Sequence, residues 1–148
     1  HPGLKPKLYD MDGWGKERTD RYYSEWENMP NSILAEGSYD GLFRSSDALI
    51  HDCSSFTVEY LYTGKPALYL TKEDHLDFMN KLGSLCFGVH YKGRTIDDIR
   101  NFIEDVVLGG QDTMNESRQR FVSDNLAVAD SKPAEQIILD SISSLLSE

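Results

Sequence analysis

The chain has 148 residues, enough for one sizeable core and too few for two ordinary domains. It is 39% hydrophobic and 27% charged, which argues against disorder, and no apolar run approaches the roughly 20 residues that span a bilayer. A net charge of −10 argues against general binding to nucleic acid and against an anionic membrane surface as the main partner.

The chain opens on His1-Pro-Gly-Leu-Lys-Pro-Lys7, with no apolar segment behind it and no initiator methionine. No signal peptide is visible, and a processed or partial chain is expected. Cys53 and Cys86 are too few for a disulfide framework and are not spaced as a metal clip, so reduced cytosolic thiols are expected.

Residues 1–10 read as a loop and a short helical turn through Leu4 and Leu8. Glu17 to Glu27 is a weak helical pattern among aromatics (Trp14, Tyr22, Tyr23, Trp26), broken by Pro30-Asn31. Those aromatics fit core and interface better than a stacking platform. Ser32–Glu36 is predicted as a strand, Gly37-Ser38 as a turn, and Tyr39, Leu42 and Phe43 as a short helix ending at Ser45-Ser46.

Ala48, Leu49 and Ile50 form an apolar run suited to a parallel strand. Asp52-Cys53 makes a turn, a helix opens on Ser54-Ser55, Gly64 stops it, and Ala67–Leu70 is a second strand. Thr71 to Asn80 reads as a polar loop with a surface His75, and Leu85–Val89 as a further strand ending near a structural or exposed His90. Thr95 caps a helix from Ile96 to Leu108, with Asp97 and Asp98 in its first turn and a stripe of Ile96, Ile99, Phe102, Ile103, Val106 and Val107. Met114–Val128 follows as a second amphipathic helix through Arg118, Phe121, Val122 and Leu126. A third starts at Ser131-Lys132-Pro133, with Ile137, Ile138, Ile142, Leu145 and Leu146 as its expected buried face.

Strands alternating with helices predict an α/β domain with a parallel sheet and helices on both faces. Ligands in such sheets bind beyond the carboxyl ends of strands, near a switch in strand order. The serine turn falls at such an end. Its hydroxyls suit two tasks: capping the helix, or donating to an anion at unpaired N–H groups and the positive dipole end. Glu59, four positions after Ser55, lies on the same helix face, either as an ordinary glutamate or as an acceptor for sugar hydroxyls. His51 either faces the cleft or packs under the loop with one nitrogen satisfied. Lys65 reads as a solvated turn residue. No acidic cluster has metal-ligand logic: Asp10 with Asp12 reads as loop, and Asp97 with Asp98 as a helix start.

The run Ser46-Asp-Ala-Leu-Ile-His-Asp-Cys-Ser-Ser55, with Glu59-Tyr60-Leu61 and Gly64-Lys65-Pro66, resembles the donor-binding motif of the CDP-glycerol glycerophosphotransferases, the teichoic-acid polymerases and related capsular polysaccharide enzymes. His1-Pro2 is similar to the His-Pro motif of that family. The resemblance covers most of residues 1–110. It implies a Rossmann-like domain, the carboxyl-terminal half of a GT-B architecture, with residues 1–148 as the nucleotide-donor domain and the acceptor domain absent. It implies that Ser54 and Ser55 hold the donor pyrophosphate, Asp52 shapes the turn, Glu59 accepts from ribose, and His1 acts at the transferred phosphate. Lys5 and Lys7 stand where the family often has an arginine, and supply charge without its bidentate fork. Cys53 replaces a common tyrosine and His51 a common threonine or serine.

The activity implied is displacement at the β-phosphorus of CDP-glycerol, with CMP leaving and a lipid-linked polymer as acceptor. This would happen at the inner face of the cell membrane through peripheral association, without cofactor or metal. Two other readings use the same residues: a GT-B glycosyltransferase taking a sugar nucleotide, and a non-catalytic nucleotide-binding module. This chain alone is expected to lack turnover.

Overall fold

The computed structural model describes residues 3–35, 37–73, 79–127 and 132–146. The chain divides into two compact units, His1–Ser45 and Ser46–Glu148.

The first unit is helical. Its elements are α1 (Leu4–Tyr9), α2 (Gly15–Asn28) and α3 (Asp40–Ser45). The pairing of α1 with α2 buries Leu8 and Thr19, and Tyr9 Oη donates to Asp20 at 2.7 Å. Thr19 gives its hydroxyl proton to the Gly15 carbonyl one turn back at 2.7 Å, which lets a polar side chain sit in a dry seam. Residues 32–35 form no strand, contrary to the expectation for Ser32–Glu36; Glu36 lies outside the described residues. Ile33 is 84% exposed, so this apolar stretch found no sheet to enter.

The second unit is α/β. Its strands are β1 (Leu49–His51), β2 (Ala67–Leu70) and β3 (Tyr91–Gly93), in the order β1-β2-β3 with both pairings parallel. Leu49 pairs with Ala67 and Leu68 with Tyr91. The order never reverses among the described strands, so the expected switch in strand order is not seen there. β2 is the central strand, and Ala67, Leu68 and Tyr69 are all buried.

Between β1 and β2 lies α4 (Phe56–Glu59), which tightens into a 3-10 turn over Tyr60–Thr63. Gly64 ends it in the left-handed region at φ 71°, as expected, where a side chain is disfavoured. Between β2 and β3 lies α5 (Lys81–Phe87), where a strand over Leu85–Val89 was expected. Asn80 caps it by accepting from the Gly83 amide at 2.8 Å. The buried positions Gly83, Cys86 and Phe87 follow helical spacing, while Leu82 and Leu85 face outward. The apolar composition suggested a strand; the cap and the 3.6-residue period decided otherwise.

After β3, Thr95 caps α6 (Ile96–Asn101) through a complete capping box with Asp98. The helix continues as a π-helical segment over Phe102–Leu108, so the expected span to Leu108 is helical throughout. α7 (Asn115–Asn125) packs Phe121 and Val122 against a core of Leu61, Cys86 and Leu126. α8 (Ala134–Leu145) forms where expected, but Ile137, Ile138, Ile142, Leu145 and Leu146 are exposed. Periodicity identified this helix; the core is closed without its apolar face. Ser131, its expected cap, lies outside the described residues.

No helix among the described residues is long and apolar enough to cross a membrane.

Candidate functional site

The serine turn lies where the sheet predicts a ligand, at the carboxyl end of β1. His51 is the last strand residue, and Asp52, Cys53, Ser54 and Ser55 carry the chain into α4. Ser54, Ser55 and Asp52 are exposed.

The Cys53 carbonyl organises this turn. It faces Nδ1 of His51 at 3.0 Å and accepts from Thr57 Oγ1 at 3.3 Å. Thr57 is fully buried, so the second bond anchors the turn to the first turn of α4. The Cys53 thiol lies 3.4 Å from the Ser55 hydroxyl. Asp52 is held from the next strand: Tyr69 Oη donates to its carbonyl at 3.2 Å, and Lys72 Nζ lies 2.8 Å from its Oδ2. Just past β2, the Thr71 amide donates to the carbonyl of Gly93, the last residue of β3, at 2.8 Å, extending the pairing at that end of the sheet.

Of the two tasks for the serines, capping by Ser55 is not observed. Ser55 occupies the cap position with helical φ −67° and ψ −39°, and its side chain makes no cap bond. A capping hydroxyl needs the extended backbone that Thr95 has at φ −116° and ψ 164°. The helix it precedes is one turn of α-helix followed by one of 3-10, so its dipole is short. Glu59 closes α4 and is half-buried, one turn beyond Ser55, whose carbonyl accepts from the Glu59 amide at 3.1 Å.

Lys5 belongs to the first unit. Its ammonium lies 3.9 Å from Asp20 and 4.9 Å from the Tyr23 ring centroid. His1 and His75 lie outside the described residues. Lys65 is a correction: its Nζ donates to the Ser46 carbonyl at 2.5 Å and it is half-buried, so it ties the chain before β1 to the turn before β2. His51 is buried under the turn with one nitrogen engaged, and His90 is buried rather than exposed. Burial lowers both imidazole pKa values, that of His90 to about 4.

Lys72 and Tyr69 are members of this site that sequence reasoning missed. The available signal was positional: in a parallel sheet, residues just past β2 lie beside residues just past β1. A separate depression lies beside β3, lined by Tyr91, Lys92, Asp98, Asn101, Phe102 and Asp105. Among the described residues, no group of three or more His, Cys, Asp or Glu side chains is arranged to hold a metal ion.

Chemically, the turn presents two exposed hydroxyls, an exposed carboxylate and a lysine ammonium at one strand end. The lysine is neutralised by Asp52 at rest, and an incoming anion competes with that carboxylate for it. Compared with protein-family models, curated proteins and solved structures, the chain shows no significant match to any of them.

Proposed function

We infer that the chain is the nucleotide-donor domain of a CDP-glycerol-type glycerophosphotransferase. The observation that carries this reading is the Asp52–Ser55 turn at the carboxyl end of β1, with its serine hydroxyls outward and Lys72 alongside. In this reading Ser54, Ser55 and Lys72 bind the donor pyrophosphate, and Asp52 hands its lysine to the phosphate. Glu59 accepts from the ribose. An acceptor hydroxyl attacks the β-phosphorus, the β-phosphorus–oxygen bond to CMP breaks, and CMP leaves. Such chemistry needs positioning and charge stabilisation above all. The other half of a GT-B cleft, the lipid-linked acceptor and the inner membrane face belong to the same proposal.

Titration of the chain with CDP-glycerol, CDP and UDP tests it. CDP-glycerol and CDP bind, and Ser54→Ala with Ser55→Ala weakens binding at least tenfold. No binding by any of the three, or unchanged binding in the double variant, overturns it. Tighter binding of a UDP- or GDP-sugar transfers the site to a sugar-nucleotide glycosyltransferase.

A further inference from the structure

Two imidazoles lie side by side in the second unit. His51 ends β1 and His90 immediately precedes β3; their ring centroids are 5.6 Å apart at an interplanar angle of 67°. His51 is 7% exposed and His90 is 1% exposed. Nδ1 of His51 is 3.0 Å from the Cys53 carbonyl, and Nδ1 of His90 is 3.0 Å from the Cys86 carbonyl. A carbonyl oxygen can only accept, so both rings carry their proton on Nδ1 and present a bare lone pair at Nε2. Both Nε2 atoms are buried and have no hydrogen-bond partner among the described residues. Two unpartnered buried acceptors this close are unusual, because each forfeits the hydration it had in water.

The surroundings disfavour a cation. The Tyr69 ring meets His51 edge-on at 5.1 Å, and Phe56 lies at 6.2 Å. Asp52 and Cys53 follow His51 directly, and the Asp52 carboxylate favours a charge on His51. Around His90, Cys86 of α5 contributes its carbonyl, while Lys92 of β3, Arg118 of α7 and His51 itself oppose a charge. Desolvation is the largest effect at both rings.

We propose that His51 is a positioning residue for the Asp52–Ser55 turn, and that the His51–His90 pair makes that turn an acid-sensitive latch. With both rings neutral, the His51 Nδ1–H holds the Cys53 carbonyl beside Thr57 and the turn is closed. A solvent proton that binds Nε2 creates a cation with no acceptor among the described residues, against a second imidazole. The His51 ring relieves this by turning out to water, which releases the Cys53 carbonyl and the placement of both serines, and opens the neighbouring His90 Nε2 to water and a second proton. The reverse linkage follows: an anion that binds only the closed turn holds the imidazoles neutral. That last consequence rests on the donor-site reading; the latch does not.

Imidazole nitrogen NMR and exchange of the Val58 and Glu59 amides, which donate to the Ser55 carbonyl, on the full chain from pH 7.5 to 4.5, test it. At pH 7.5 both rings show a protonated Nδ1 and a bare Nε2. Below about pH 6 the turn-opening equilibrium rises by up to about 100-fold per pH unit in the wild type, because opening takes up two protons, and by up to about 10-fold in His90→Asn. In His51→Asn with His90→Asn the pair's contribution is absent. His51→Asn keeps a donor near the Nδ1 position and so keeps the turn protected at neutral pH, whereas His51→Leu raises opening there at least tenfold. Should His51→Leu fail to fold, the tautomers and the double variant still decide. An Nε2-protonated ring at pH 7.5, or wild-type pH dependence in the double variant, overturns the latch. CDP titrated in parallel keeps the two readings separate, since absent binding removes the donor reading and leaves the latch standing.

Discussion

Arg118 donates its Nε–H to the carbonyl oxygen of Gly64 at 2.9 Å, joining α7 to the turn that ends the helix between β1 and β2. The guanidinium is 1% exposed and also pairs with the Asp112 carboxylate. A charge buried this deeply persists only because its donors are satisfied by a carboxylate and a backbone carbonyl.

Arg118→Met therefore costs about 3–5 kcal/mol, the range for breaking a buried pair from one side. Loss of the Gly64 acceptor bond and a stranded Asp112 both contribute. Urea unfolding followed by circular dichroism checks this. Pairing the change with Asp112→Asn recovers part of the loss; equal instability in single and double variants rules out the stranded carboxylate as a cause.

Gly64→Ala destabilises by about 1–2 kcal/mol, although a Cβ there meets nothing within 4 Å. The cost is conformational, set by φ +71°. Gly64→Asn is milder, because asparagine tolerates the left-handed region. Equal stability of the alanine variant and the wild type in denaturant melts contradicts this.

Thr95→Ala costs about 1 kcal/mol through loss of a helix cap, and Thr95→Ser restores most of it. The Asp98 carboxylate accepts from the amides of Arg94 at 2.8 Å and Thr95 at 2.9 Å. Those backbone bonds hold its pKa below the ordinary value. This stabilisation is present above the unfolded pKa and is lost as pH falls through the lower folded one. A Thr95→Ala melt at neutral pH and at pH 3 separates the two halves of the box.

Buried His90 titrates at about 4 in the folded chain against an ordinary 6.5. Between those values the unfolded chain binds more protons than the folded one, so stability falls as pH falls through that window, and the contribution of neutral His90 is fully lost below it. The loss amounts to roughly 3 kcal/mol for His90 at its completion. Global unfolding free energy in His90→Asn, measured from pH 7 to 4, declines less than in the wild type. Parallel curves refute this.

Lys72→Ala leaves stability within about 1 kcal/mol, since its pair with Asp52 is exposed on both sides. The same variant weakens nucleotide diphosphate binding several-fold if the serine turn takes a pyrophosphate, and weakens it less at high salt. Calorimetric titration at low and high salt measures both.

The elements governed by local chemistry were legible in the chain. Thr95 with Asp98, Gly64 after Thr63, and the apolar runs around Leu49 and Leu68 each specify their own backbone within a few residues. Leu85–Val89 reads as a strand and folds as helix because short apolar runs suit a buried strand and a buried helix equally, and the Asn80 cap with the Gly83, Cys86 and Phe87 face separates them. The Ser32–Glu36 run has strand-like composition, but a strand needs a partner, and among the described residues none pairs with 32–35.

At the site, the position of Ser54 and Ser55 after a strand followed from pattern alone. That Ser55 does not cap its helix depended on backbone angles. The contacts of Asp52 with Lys72, His51 with His90, and Arg118 with Gly64 join residues 20, 39 and 54 positions apart. Local sequence determined the helix ends at Gly64 and Thr95, the runs of β1 and β2 and the turn between them, because those depend on neighbouring dihedrals and short-range hydrogen bonds. The tertiary structure alone decided which polar groups share a buried seam or a strand end, because that follows from the parallel register of β1, β2 and β3 and from the desolvation it imposes.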